Sequence, residues 1–148
     1  MAYWLMKTNP EVFNWDMLVE NGKTRWDGVR NYQARNNLRE MKPGDLAFMF
    51  HMEPEPGAVG VIKIVSEPYD DPETTEGNWA VIDVEPVVKI ERPVSQDEIR
   101  NTPMLNVLPL KSQPKLSVIP VSEEQWDLIL RIGKTDIKSQ IINNKALD

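Results

Sequence analysis

The stretch 42-KPGDLAFMFHMEPEPGAVGVIKIV-65 decides the fold class. Lys42-Pro43-Gly44-Asp45 is a turn, with proline and glycine in suitable order. Leu46 to His51 then alternates as a strand, with Leu46, Phe48 and Phe50 on one side and Ala47, Met49 and His51 on the other. Glu53-Pro54-Glu55-Pro56-Gly57 is a loop tip, and Ala58 to Val65 is the next strand. Gly60 inside that strand signals a bulge or a close backbone approach. Two strands that follow one another through a loop do not support parallel strand–helix–strand winding.

Upstream, Tyr3 to Lys7 reads as a first strand. Asn14 to Glu20 reads as a short helix capped by Asn14 and stopped at Asn21-Gly22. Asn31 to Met41 reads as a second helix, whose Ala34, Leu38 and Met41 form a core-facing stripe. Asn31, Arg35 and Arg39 share another column of that helix. Downstream, a turn-rich stretch from Glu67 to Gly77 leads into a long strand from Trp79 to Ile90. Pro93 to Arg100 starts a short helix capped by Ser95, and Met104 to Leu110 is ambiguous, a further helical turn being one reading. Leu116 to Val121 is a last strand. Ser122-Glu123-Glu124-Gln125 is a capping box, opening a helix that packs Trp126, Ile129 and Leu130 inward and ends at Gly133. The expectation is an α+β domain over residues 1–133, a small mixed β-barrel of about five to six strands with flanking helices, followed by a polar tail over 134–148.

The 148 residues fit one domain, and a hydrophobic fraction of 41% can build its core. With no cysteine and one histidine, His51, neither a metal site nor a cofactor is expected. The short apolar run near Met1 has no basic leader, and no segment approaches the roughly 20 apolar residues of a membrane span. A cytoplasmic protein without a membrane partner is expected. The net charge of −6 argues against coating duplex DNA through bulk charge. Yet Lys23 to Lys42 holds six bases against two acids, a local +4 on a body carrying −10. That asymmetry fits a site for a few phosphates, and it fits a solvated helix face as well.

The densest block of candidate chemistry is 26-WDGVRNYQARNNLR-39. It sets an aromatic ring, a glycine and a helix N-terminus close together, an arrangement suited to an anion. Arg30 and Arg35 offer fork-shaped donors to phosphate. Trp26 offers a flat face for an unstacked base. On spacing alone the same residues also read as a core tryptophan, a glycine turn and a capped surface helix. Trp79 shares a strand face with Asp83, whose carboxylate can accept from the amino group of a base; the alternative is a strand-edge anchor with a solvated acid. His51 alone titrates near neutrality, but no nucleophile motif accompanies it, so no catalytic residue is assigned.

These residues resemble the EVE-domain family, of the PUA-like superfamily and the thymocyte nuclear protein type. The Trp26–Asn36 block resembles the family's most distinctive signature. Tyr3–Thr8 with Asn14–Leu18, Gly44–Phe48, Trp79–Val84 and Leu116–Val121 resemble its other conserved parts. Thr8, Met52, Lys115 and Ile119 depart from its usual residues. The resemblance implies a PUA-like barrel similar to YTH domains, with a pocket for a modified base in DNA or RNA, flipped or single-stranded. It implies Trp26 and Trp79 as cage walls, and His51, Asp83 and Asn31 as polar groups of the base pocket. It further implies Lys7, Arg30, Arg35 and Arg39 along the backbone path. Two other functions stay open: a small amidohydrolase of the ASCH type, using Lys7 or Lys63 with Asp83, and a protein-interaction domain.

Overall fold

The computed structural model describes residues 1–137 apart from Thr75. Strand β1 (Tyr3–Thr8) opens the chain, and helix α1 (Trp15–Asn21) follows it. The Asn14 side chain accepts from the Met17 N–H, and Gly22 at φ 72 turns the chain out of the helix. Strand β2 (Thr24–Trp26) leads to helix α2 (Tyr32–Arg39), which Asn31 caps by accepting from the Ala34 N–H. Strands β3 (Leu46–His51), β4 (Gly57–Ile64), β5 (Tyr69–Asp70) and β6 (Ala80–Ser95) come next. Helix α3 (Gln96–Arg100), strand β7 (Val118–Val121) and helix α4 (Glu123–Ile132) complete the described chain. Both α3 and α4 carry complete capping boxes, at Ser95 and Ser122. Residues 104–110 form irregular turns rather than a helix, and they plug the core with Leu105 and Leu108.

The seven strands form one mixed sheet in the order β2-β6-β4-β3-β1-β7, with β5 also on β6. The sheet curls into a half-barrel. β6 is its longest member at 16 residues, outrunning the strand expected from Trp79 to Ile90. It pairs with β4 from Ser95 to Val84, and the chain beyond β4 continues down the same strand through Tyr69↔Val81. β2 adds to it through Thr24↔Val84 and Trp26↔Ile82. Among the described residues the one parallel pair is β1 with β3, from Tyr3↔Leu46 to Thr8↔His51. Here the chain departs from the reading of the central strands alone, because two helices and β2 intervene between these partners.

The centre of the sheet is apolar on both faces. Trp126 of α4 stacks on Phe48 at 4.0 Å, covering one face of β3. On the other face, the Trp15 indole lies directly on Gly60, where a Cβ would stand 2.2 Å from its Cε3. Gly60 is thus the close approach that its place in the strand suggested, and the register shifts there between Ala58 and Gly60. Residues 134–137 are packed: the Glu91 N–H donates to Thr135 Oγ1, and Ile137 is buried. The rest of the expected tail, 138–148, lies outside the described residues. Among the described residues no helix is long and apolar enough to cross a membrane.

Gly60→Ala is expected to lose roughly 1–3 kcal/mol of stability, because the added methyl must push the Trp15 ring off the sheet. Urea unfolding followed by tryptophan fluorescence checks this; an unchanged midpoint would refute the seating of Trp15.

Candidate functional site

The 26–39 block folds from the sheet outward. Trp26 belongs to β2 and pairs with Ile82, which turns its indole inward. It is 5% exposed and meets Phe13 edge-on, with ring centroids 5.8 Å apart. Gly28 takes φ 79, a backbone that side chains rarely adopt, and Val29 is buried behind it. Asn31 is committed to the α2 cap.

Helix α2 then presents Tyr32 to solvent at 64% exposure. The half-buried Trp79 stacks on it, with ring centroids 5.1 Å apart and planes 15° from parallel. The Arg30 guanidinium lies over the Trp79 ring at 5.4 Å and that of Arg35 at 5.8 Å, with Arg35 also 5.1 Å from the Tyr32 ring. Gly77 makes this arrangement possible: it takes φ 82, and a Cβ there would stand 2.3 Å from the Trp79 Nε1.

The arginines are not free. Arg30 Nη2 is 3.0 Å from the Asp71 carboxylate, which is buried. The Glu73 N–H, with Arg30 beside it, holds the Asp71 carboxyl below the usual carboxylate range. Arg35 donates to the Gly77 carbonyl and to Asn36, and Arg39 to the Asn78 carbonyl and Asp70. Asp83 accepts from the Tyr69 hydroxyl at 2.6 Å and lies 3.9 Å from Lys23.

His51 and Lys7 belong to another part of the surface. His51 ends β3 and lines a cleft of about 830 Å³ with Pro10, Met52, Pro56, Gln96 and Lys111. Its Nε2 accepts from the Trp15 N–H at 3.2 Å, which places the proton of the neutral ring on Nδ1. Burial pushes this imidazole below its ordinary value, with Asp16 opposing. Lys7, expected along the backbone path, is only 8% exposed. Its ammonium donates to the Leu110 carbonyl and borders a hollow of about 300 Å³, and burial lowers its pKa.

The structure therefore gathers Trp79, Arg30, Arg35 and Arg39 on one surface. It does not bring Trp26 and Trp79 together as facing walls: one indole is core, the other rides on α2, and neither lines the His51 cleft or the Lys7 hollow. Neither Lys7 nor Lys63 bonds to Asp83: Lys7 donates to the Leu110 carbonyl, and Asp83 meets Tyr69 and Lys23. Among the described residues no group of three or more His, Asp or Glu side chains could hold a metal. Sequence reasoning missed Tyr32 as the stacking partner and the acids that take up the arginines. Their signal was present: Asp70, Asp71, Glu73 and Glu76 fall within seven residues, opposite the one basic segment.

His51 makes stability depend on pH in a defined direction. Its folded-state pKa lies below the ordinary 6.5, so the unfolded chain binds the proton first. The contribution is complete above that value and is lost as pH falls from 6.5 to the folded-state value. Urea midpoints for the wild type and His51→Gln between about pH 7.5 and 5 should diverge as pH falls, the variant declining less; parallel curves would refute the neutral, accepting ring.

Comparison with known proteins places this arrangement. The EVE domain model matches residues 2–132. Thymocyte nuclear protein 1 of Rattus norvegicus is 37% identical over 168 residues, covering 90% of this chain and 74% of that protein. A Pseudomonas syringae protein of known crystal structure is 42% identical, with a TM-score of 0.83 over 89% of this chain and 99% of its own. The crystal structure of human THYN1 in complex with 5-methylcytosine-containing DNA superposes with a TM-score of 0.81 at 33% identity, over 92% of this chain and 99% of that one. With its signature block, its half-barrel and these relatives in agreement, the chain belongs to the EVE domain family.

Proposed function

We propose that this protein is a non-catalytic nucleic-acid-binding module that captures a modified base in an aromatic site built on Trp79 and Tyr32. The observation that carries this reading is the Tyr32–Trp79 stack with two guanidinium groups over it. Aromatic rings flanked by arginine hold unstacked bases without regard to sequence, and of the two rings here Tyr32 is the exposed one. The human relative with 5-methylcytosine-containing DNA supports the ligand class, and makes DNA with a methylated cytosine the first substrate to test.

A protein of charge −6 cannot rely on bulk attraction to phosphate. A base stacked on an aromatic ring contributes roughly 1–3 kcal/mol, independent of net charge. A buried methyl adds about 0.8 kcal/mol, only a few-fold in affinity, so strong selectivity for the modification requires a hydrogen bond as well. Trp26 is not part of the stack: it is buried in the core, two residues before the Gly28 turn that leads to α2.

Trp79→Ala and Tyr32→Ala should each weaken binding of a single-stranded oligonucleotide carrying 5-methylcytosine by about 1–3 kcal/mol, roughly 5- to 150-fold in Kd. Fluorescence anisotropy with both variants, and circular dichroism to verify folding, checks this. Wild-type affinity in both folded variants would sink capture at this stack.

A further inference from the structure

We propose that Asp70, Asp71 and Glu73 act as internal stand-ins for nucleic-acid phosphates. They occupy the arginines beside the Tyr32–Trp79 stack, so that phosphate charge alone gains little from this surface. The inference rests on the nucleic-acid reading above and concerns what sets its selectivity.

The pairing is systematic. Arg25 meets Glu73 at 3.4 Å, Arg30 meets Asp71 at 3.0 Å, and Arg39 meets Asp70 at 3.3 Å. Arg35 is taken by the Gly77 carbonyl of the same segment at 3.2 Å. All four arginines of the basic segment thus bond to residues 70–78, and that segment carries four acids and no base. The opposing charges cancel. By formal count the +4 patch legible in the sequence is offset locally by the four acids of residues 70–78, three of which pair directly with arginines.

The pairs differ in a way that suits competition. Asp71 has a side chain 1% exposed and is tied to the Glu73 N–H as well as to Arg30, so it anchors the segment. Asp70 and Glu73 are 84% and 75% exposed, and their bonds to Arg39 and Arg25 lie open to water. Exposed pairs of this kind are weak and readily exchanged. A phosphate arriving at Arg25 or Arg39 replaces a carboxylate already there. The strand sheds a counterion while the displaced carboxylate acquires one, so the net release, and with it the salt dependence, is small. Affinity is left to the aromatic contact.

The test is Asp70→Asn with Glu73→Gln, an isosteric change at two exposed positions. Anisotropy titrations across a KCl series use a short single strand, unmodified and with one 5-methylcytosine. The double variant should bind the unmodified strand several-fold tighter at low salt. Its log Kd against log[KCl] should steepen by about 1.4, two freed charges at roughly 0.7 each. Adding Arg25→Gln and Arg39→Gln should return the slope to that of the wild type. Removing the same charge elsewhere, by Glu123→Gln with Glu124→Gln on α4, should leave the slope unchanged. If wild type and double variant bind with equal slopes, or the α4 control steepens as much, the stand-in role is overturned while the nucleic-acid reading survives. If neither protein binds either strand at the lowest salt, the functional reading falls and takes this inference with it.

Discussion

A single buried carboxylate sets the geometry from which the rest follows. Asp45 is 4% exposed and stands where β3 begins. One of its oxygens accepts from the Ala2 N–H, the other from the Trp4 indole and the Lys42 N–H. Burial without these donors would be prohibitive, so the acid holds all three partners in place. Those partners fix the start of β1 against β3, and hence their parallel register through to Thr8↔His51. A one-residue slip would reverse every side chain of β1 across the sheet. At the far end of the register, Thr8 Oγ1 donates to the Phe13 carbonyl and His51 accepts from the Trp15 N–H. These two bonds suspend α1 from the sheet. Phe13 in turn meets Trp26, whose strand leads into the turn before α2. The Tyr32–Trp79 surface is therefore positioned by a chain of contacts that begins at the N-terminus.

The electrostatics of that surface are local, and net charge is a poor guide to them. Three of the four arginines from Arg25 to Arg39 stand against carboxylates and Arg35 against a carbonyl, so much of the positive charge of this segment is met within the fold. Ion pairs at such exposure contribute between nothing and about 1 kcal/mol each. The stack offers more than any one of them, and salt does not screen it. An acidic protein can bind a polyanion on these terms, provided that it engages few phosphates and at least one base.

Much of the fold was legible because its signals are local. Asn14, Asn31, Ser95 and Ser122 cap the helices that their sequences predict, and β3 has the bounds read from its alternation. The strands that escaped notice are β2 and β5, three and two residues long. Neither can show a period; each exists because β6 extends an edge to which it can bond. The parallel β1–β3 pair escaped for a related reason, since sequence order says nothing of which strands meet. At the site, a tryptophan at a strand end carries no mark of whether its ring turns in or out. Trp26 faces the core because its strand pairs with Ile82, and Trp79 faces α2 because of the turn before it. The family resemblance named the right block, yet only the fold divides it into Trp26 and Asn31, which build the scaffold, and Arg30, Tyr32 and Arg35, which meet solvent.

That turn ties the aromatic and charged parts of the surface into one element. Gly77 and Asn78 take φ 82 and 54, two successive left-handed residues that swing the chain back over α2. The first must be glycine on two grounds, its backbone angle and the Trp79 indole, whose Nε1 would stand 2.3 Å from any Cβ there. The same turn aims the Gly77 carbonyl at Arg35 and the Asn78 carbonyl at Arg39. Ahead of it, the chain is pinned by Asp71 to Arg30. The ring that can stack a base and the acids that hold the arginines are thus carried by ten consecutive residues, 70 to 79. The exposed acids that a strand would displace and the ring that a base would engage lie on the same short segment, which Asp71 anchors to Arg30. Charge and stacking are coupled through one short piece of chain, so neither term of the affinity is independent of the other.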